Sequence, residues 1–164
     1  MNWMSRSLLI ATAAVALAAC NKGDEKPQAA AEPVVLTAPV NGTEQDWKLY
    51  LAGVVKQNME GVRSSPYMYY LPVATTEDFE GQYNRQLDNV AGTIARTVLP
   101  GNMLAFGSPE SAKMADLIIE AFKEADAGSF KGVKVLFIGK AEDEARVREA
   151  IAPSEADFIF VEAK

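Results

Sequence analysis

The sequence feature that most restricts the fold is a nearly continuous apolar run at residues 133–138, in which Lys134 is the only charged residue. A strand with one face in water alternates apolar and polar residues, whereas a strand inside a parallel sheet is covered by helices on both faces and loses that alternation. We therefore expect this run to be a central strand of a parallel sheet.

Helical and strand-like segments alternate along the chain from Asn41 to the end. Segments with helical spacing of apolar residues separate the short apolar segments, and they are long enough to act as crossovers. The predicted strands lie at residues 66–72, 103–106, 133–138 and 157–161. The order αβαβαβαβ predicts a single α/β domain over residues 41–164, a three-layer sandwich with a mostly parallel sheet of about four strands.

Capping signals mark the predicted starts of two helices. Thr43 with Asp46 three residues later is typical of a helix N-terminus. The string Ser108-Pro109-Glu110 combines an N-cap, a proline at the first helical position and an early acid. A helix between these two carries a single apolar stripe. The stripe consists of Phe79, Tyr83, Leu87, Val90, Ile94 and Val98.

The first twenty residues combine a positive charge, a short apolar run and a single cysteine. Arg6 supplies positive charge, and the apolar run at residues 8–17 is too short to span a bilayer but long enough for a signal-peptide core. The run ends in the string LAAC at residues 17–20, and Cys20 is the only cysteine of the chain. This string resembles the lipobox of bacterial lipoproteins, which implies removal of residues 1–19 and lipidation of Cys20. An ordinary secretory signal or a buried apolar helix is the alternative interpretation.

Residues 21–40 predict a flexible tether between Cys20 and the domain. The segment contains three prolines, charges of both signs and alanines, with no sustained periodicity. Asn21 stands where enteric lipoproteins retained in the inner membrane carry aspartate, so the resemblance implies a periplasm-facing protein of the outer membrane. Residues 33–36 are alternatively a short strand docked on the domain.

Composition argues against several classes of function. The chain has no histidine and one cysteine, which excludes an imidazole general base, a histidine metal ligand and an internal disulfide. It also lacks the phosphate-loop and serine-hydrolase strings. We therefore expect a non-enzyme with no catalytic residue, metal or cofactor. Sixteen basic and 22 acidic residues give a net charge of -6, which becomes -7 if residues 1–19 and their one arginine are removed; this balance predicts no nucleic-acid binding.

Two acidic triplets are the remaining candidates for acid–base chemistry. They are Glu77, Asp78 and Glu80, and Glu142, Asp143 and Glu144. Each triplet falls in the first turn of a predicted helix, where the helix dipole favours acids. We expect helix caps and solvated faces rather than catalysts.

The carboxyl ends of the strands form the edge at which ligands bind in open parallel sheets. Gly107, Ser108 and Lys140 follow two predicted strands at this edge, with Ser111 nearby. A helix that begins at Ser108 would offer free N–H groups to an anion. The alternative is a helix start alone, which Pro109 favours because it lacks one of those N–H donors.

The strand at residues 66–72 is rich in aromatic side chains. Alternation places Tyr67 and Tyr69 on one face and Met68 and Tyr70 on the other. Tyrosine is enriched at protein interfaces, and the flanking prolines suit an edge strand. Tyr67, Tyr69 and Tyr70 are therefore candidates for binding a protein partner. The alternative is a strand covered by helices on both faces, with the hydroxyls at the rim.

A lipid anchor, a tether and a small acidic domain together resemble the envelope lipoproteins that some bacteria make as immunity proteins against secreted toxins. The resemblance concerns organisation alone and implies a lipid-anchored periplasmic module that binds a protein, a basic one if the acidic charge steers it. Two alternatives are a small-molecule or anion-binding envelope domain, enzymatic or not, that uses the crevice at Gly107, Ser108 and Lys140, and a structural envelope component.

Overall fold

The computed structural model describes residues 35–96 and 98–164, so the predicted signal peptide, Cys20 and most of the predicted tether lie outside the described residues. The helices are α1 (Glu44–Gln57), α2 (Phe79–Ile94), α3 (Ser111–Phe122) and α4 (Ala141–Ile151). The strands are β1 (Tyr67–Tyr70), β2 (Met103–Gly107), β3 (Lys134–Gly139) and β4 (Asp157–Glu162), with a 3₁₀ turn at Ala152–Ser154. The α/β class and the order αβαβαβαβ are confirmed.

The four strands form one sheet in the order β1-β2-β3-β4, and every neighbouring pair is parallel. The connecting helices α2, α3 and α4 share one face of the sheet. This is expected when each crossover has the same hand and moves in the same direction across the sheet. Helix α1 covers the opposite face and completes the three layers.

The central position predicted for residues 133–138 is confirmed in β3, which lies between β2 and β4. Val135 and Phe137 point into the core beneath α2–α4, and Leu136 and Ile138 point into the core beneath α1. All four are fully buried. The continuous apolar run thus reflects burial on both faces of one strand.

The predicted cap of α1 is confirmed. The Thr43 hydroxyl accepts a hydrogen bond from the Asp46 amide at 3.2 Å, and the Asp46 carboxylate accepts one from the Thr43 amide at 2.8 Å. The apolar stripe of α2 is right as far as Ile94, where the helix ends. Val98 is buried but lies beyond the helix.

The predicted start of α3 at Ser108 is wrong, because the helix begins at Ser111. The Ser108 hydroxyl donates to the Leu71 carbonyl at 2.9 Å and accepts from the Glu110 amide at 2.9 Å. These bonds hold the residues after β2 in a turn that contacts the end of β1. Ser108 therefore ties two connections together instead of capping a helix.

The packed part of the described chain begins before Asn41. Leu36 packs against the core beneath α1, and Ala38 is buried, with its amide donating to the Lys164 carbonyl at 2.5 Å. The described residues of the segment 33–36 are not in a strand. The last residues of the predicted tether are thus packed on the domain and hydrogen-bonded to Lys164. Among the helices of the described residues, none combines the length and the apolar character that a membrane span requires.

Candidate functional site

Among the strands of the described residues, β1 forms one edge of the sheet and pairs only with β2. Pro66 precedes it, and Pro72 follows two residues after its end. Because proline has no N–H group, it cannot donate to a ladder of hydrogen bonds, and the strand stays short. The outer side of β1 therefore presents unpaired backbone groups that another strand could engage.

The side chains of β1 divide between the surface and the core. Tyr67 is 46% exposed and Met68 is 50% exposed, whereas Tyr69 is only 4% exposed. The Tyr69 ring stacks on Phe106, with 5.0 Å between ring centroids. Tyr69 thus packs beneath α2, as the alternative of a covered strand expects, and its ring does not lie on the surface that a partner could reach.

Tyr70 lies on the opposite face, against the core beneath α1, and is half-buried. The Lys48 ammonium lies 5.6 Å from its ring centroid and also pairs with Glu44. Burial, with a smaller contribution from the Glu44 carboxylate, raises the pKa of Tyr70 to about 12. The Tyr70 side chain is therefore uncharged and lies between β1 and α1. Part of its surface is accessible to a partner.

A groove of about 430 Å³ opens at the start of β1. It is lined by Ser64, Tyr67, Thr93, Arg96, Val98, Leu99 and Asn102. Leu99 is 63% exposed, and Tyr67 forms a second apolar surface beside it. An apolar surface with a few converging polar groups is the usual composition of a binding site.

Hydrogen bonds between two connections hold this groove. The Arg63 amide donates to the Gly101 carbonyl at 2.8 Å, and the Ser64 hydroxyl donates to the Asn102 side chain at 2.5 Å. Gly101 has a φ of +86°, which favours glycine, and the Arg63 side chain lies 3.3 Å from the position of a Cβ atom there. The connection before β1 is thus fixed to the connection before β2.

Sequence reasoning missed Arg96 and Leu99 as parts of this site. Both belong to the connection between α2 and β2, and they meet Tyr67 only because β1 and β2 are neighbours. The signal in the sequence was Leu99, an apolar residue directly before the turn at Pro100 and Gly101. A solvent-exposed connection does not need an apolar residue at such a position.

The carboxyl edge of the sheet brings Ser108 and Lys140 to one small depression of about 170 Å³, with Gly107 at the end of β2. Trp47 and residues 38–40 occupy much of this edge. A Cβ atom on Gly107 would lie 3.1 Å from Leu51, so this glycine allows close packing of α1.

The hydroxyl groups near that depression already have partners. Ser108 is 1% exposed, and its hydroxyl is bonded to the Leu71 carbonyl and to the Glu110 amide. The Ser111 hydroxyl donates to Asp143 at 2.6 Å and accepts from the Lys140 amide at 2.8 Å. The exposed Lys140 ammonium lies 4.0 Å from Glu142. The charged groups available to an anion are therefore the exposed ammonium groups of Lys140 and Lys164, each beside a carboxylate.

The sheet topology also disfavours this edge as a ligand site. Ligands of open parallel sheets bind where the strand order reverses and helices leave on opposite faces. The order β1-β2-β3-β4 contains no reversal, and all three crossover helices lie on one face. The described strands thus form no such crevice.

Asp143 corrects the expectation of a solvated acidic face. It is 4% exposed, accepts from Ser111, and pairs with Arg146 at 2.7 Å. Arg146 also pairs with Asp116 at 2.5 Å, which joins α3 to α4. Asp143 lies four residues before Val147 on the buried stripe of α4, and that spacing was the signal in the sequence.

The other acidic candidates have surface roles. Asp78, at a φ of +57°, pairs with Arg85 at 3.0 Å at the start of α2. Glu77, Glu80 and Glu142 are exposed, and Glu144 pairs with Arg148 at 2.6 Å. Within residues 35–96 and 98–164 we found no group of three metal-ligating side chains.

No protein-family model, curated protein or solved structure matches the chain.

Proposed function

We propose that this protein is a lipid-anchored, periplasm-facing, non-enzymatic module that binds another protein through the free edge of β1. The observation that carries the proposal is the exposure of Tyr67 and Met68 on a strand whose outer edge has no partner strand within residues 35–96 and 98–164, beside a groove that also exposes Leu99. Edge strands with accessible side chains are a recurrent docking surface for protein segments. An immunity protein or inhibitor of a secreted toxin would need a surface of this kind.

The anchor follows from the lipobox string that ends at Cys20. A diacylated and N-acylated cysteine holds a protein on the membrane stably, because each buried methylene contributes about 0.8 kcal/mol. The Cys20→Ser variant should lose the lipid and either remain unprocessed or fractionate as a soluble protein. Processed Cys20→Ser protein in the membrane fraction would contradict the proposed anchor.

The alternative of an anion-binding envelope domain at Gly107, Ser108 and Lys140 has less support. The Ser108 hydroxyl is buried and doubly bonded, and the charged side chains that line the depression, Lys140 and Lys164, each lie beside a carboxylate. This site nevertheless provides the matched control for the main experiment. Val40 lines its rim and is 84% exposed.

The test compares two lysine substitutions on exposed apolar residues, Met68→Lys at the β1 edge and Val40→Lys at the carboxyl edge. A partner is captured from envelope extract with the wild-type protein, identified and purified, and its affinity for each variant is measured. Loss of a main interface contact corresponds to about 2 kcal/mol, or about 30-fold in Kd. We expect that loss for Met68→Lys and an unchanged Kd for Val40→Lys. The reverse pattern, or wild-type protein that captures no partner, contradicts the proposal.

A further inference from the structure

We infer that the groove at the start of β1 receives an acidic, extended segment of the partner, which joins the sheet beside β1 and places a carboxylate on Arg96. This inference rests on the proposed function and specifies the chemistry of the segment that docks.

Two arginines at this end of the sheet have no carboxylate partner among the described residues. Arg85, Arg146 and Arg148 each lie within 3.0 Å of a carboxylate oxygen. Arg63 and Arg96 have no such contact within the described residues, although acidic residues outnumber basic ones in the chain. A planar guanidinium binds a carboxylate through two parallel hydrogen bonds, and Arg96 offers this group at the groove.

The pairing geometry of a sheet directs an added side chain towards Arg96. Side chains of neighbouring strands at the same register point to the same face. Tyr67 lines the groove together with Arg96. A residue paired opposite Tyr67 on an added strand would therefore project over the groove, and its neighbours would project towards Met68 on the other face.

A row of acidic side chains lies along α3, outside the lining of the groove. Asp116, Glu120 and Glu124 are exposed at four-residue spacing in and just after α3. Burial raises the pKa of Tyr83 on α2, and Asp116 and Glu120 raise it further. The total charge thus favours a basic partner at long range, whereas the groove selects an acidic segment at contact.

Acidic residues also lie on the far side of Arg96. Glu124 and Asp126 line a separate depression that Arg96 borders, but neither lies within ion-pair distance of its guanidinium. A ligand carboxylate in the groove would compete with Glu124 and Asp126 for the Arg96 guanidinium. Glu124→Gln should therefore strengthen binding of an acidic segment.

The test selects peptides from a random seven-residue library against the full-length protein and measures the selected peptides by fluorescence anisotropy. We expect enrichment of Asp or Glu at one position, flanked by apolar residues. Arg96→Glu should weaken these peptides by about tenfold or more. Arg85→Glu, which makes the same charge change on α2 and outside the groove, is the control and should leave the Kd unchanged. Replacing the selected acid with lysine should restore affinity for the Arg96→Glu variant.

Other outcomes overturn the inference. These are selection of basic peptides, failure to enrich any peptide, and equal Kd values for the wild type and Arg96→Glu. Hydrogen exchange at the β1 amides should slow in the peptide complex, and unchanged exchange rejects strand addition. If Met68→Lys abolishes binding of the captured partner and Arg96→Glu does not, the proposed function stands and this inference fails. If the wild type captures no partner, the proposed function itself fails.

Discussion

Replacement of Tyr69 with alanine should destabilise the fold strongly, whereas the same replacement of Tyr67 should not. Tyr69 is 4% exposed and its ring stacks on Phe106 at 5.0 Å, with 20° between the ring planes. Truncation of a buried aromatic side chain to alanine costs about 3–5 kcal/mol. Tyr67 is 46% exposed. Because full burial of such a side chain contributes about 1.5–3 kcal/mol, half-burial makes Tyr67→Ala worth about 1 kcal/mol.

The two variants are compared by urea unfolding of the purified protein, followed by circular dichroism, with partner affinity measured on the folded protein. We expect a difference of about 2 kcal/mol or more between their free energies of unfolding. Tyr67→Ala should keep its fold and lose about 30-fold in partner affinity, the size of a main interface contact. Equal stability losses, or a loss below about 1 kcal/mol for Tyr69→Ala, would refute the division of β1 into one buried and one exposed tyrosine.

Three further predictions test Leu136 in the core, the buried Asp143, and Tyr70 between β1 and α1. Leu136→Ala should lower the free energy of unfolding by about 2–5 kcal/mol in the same urea assay, because Leu136 is fully buried beneath α1; a loss below about 1 kcal/mol would mean that β3 is not central. Asp143→Ala should cost about 1–3 kcal/mol in that assay, because it leaves the Ser111 hydroxyl without its acceptor; the exposed Glu142→Ala is the control, and equal effects would contradict the assignment. Burial raises the pKa of Tyr70 to about 12, so the unfolded state releases this proton first, and stability should fall as the pH rises from about 10 to about 12. Tyr70→Phe should flatten the dependence of Tm on pH in that window, and an identical slope would contradict the burial of the Tyr70 hydroxyl.

The sequence predicted most of the fold because the relevant signals are local. The apolar run of β3, the Thr43–Asp46 cap and the helical stripes each act within one element, so neighbouring residues reveal them. The start of α3 was misplaced because the Ser108 hydroxyl bonds to Leu71, which lies 37 residues away. No local pattern reports a hydrogen bond of that span.

The candidate site was only partly predictable, since it depends on which elements become neighbours. Alternation gave the correct faces for Tyr69 and Tyr70, but not the depth at which α2 covers one of them. The groove joins two connections whose proximity follows from the order β1-β2-β3-β4, and that order has no signature in the sequence. Arg96 stands out only in the structure, where Arg85, Arg146 and Arg148 each have a carboxylate partner and Arg96 lines the groove without one among the described residues.

The most direct test of the central claim is site-specific photo-crosslinking in cells. A photoreactive amino acid replaces Met68 at the β1 edge or, as the control, the exposed Glu149 on α4. We predict that Met68 crosslinks to one defined protein and that Arg96→Glu reduces the yield of this adduct, whereas Glu149 gives no such adduct. Crosslinking from Glu149 and not from Met68 would contradict the account and place the partner on α4.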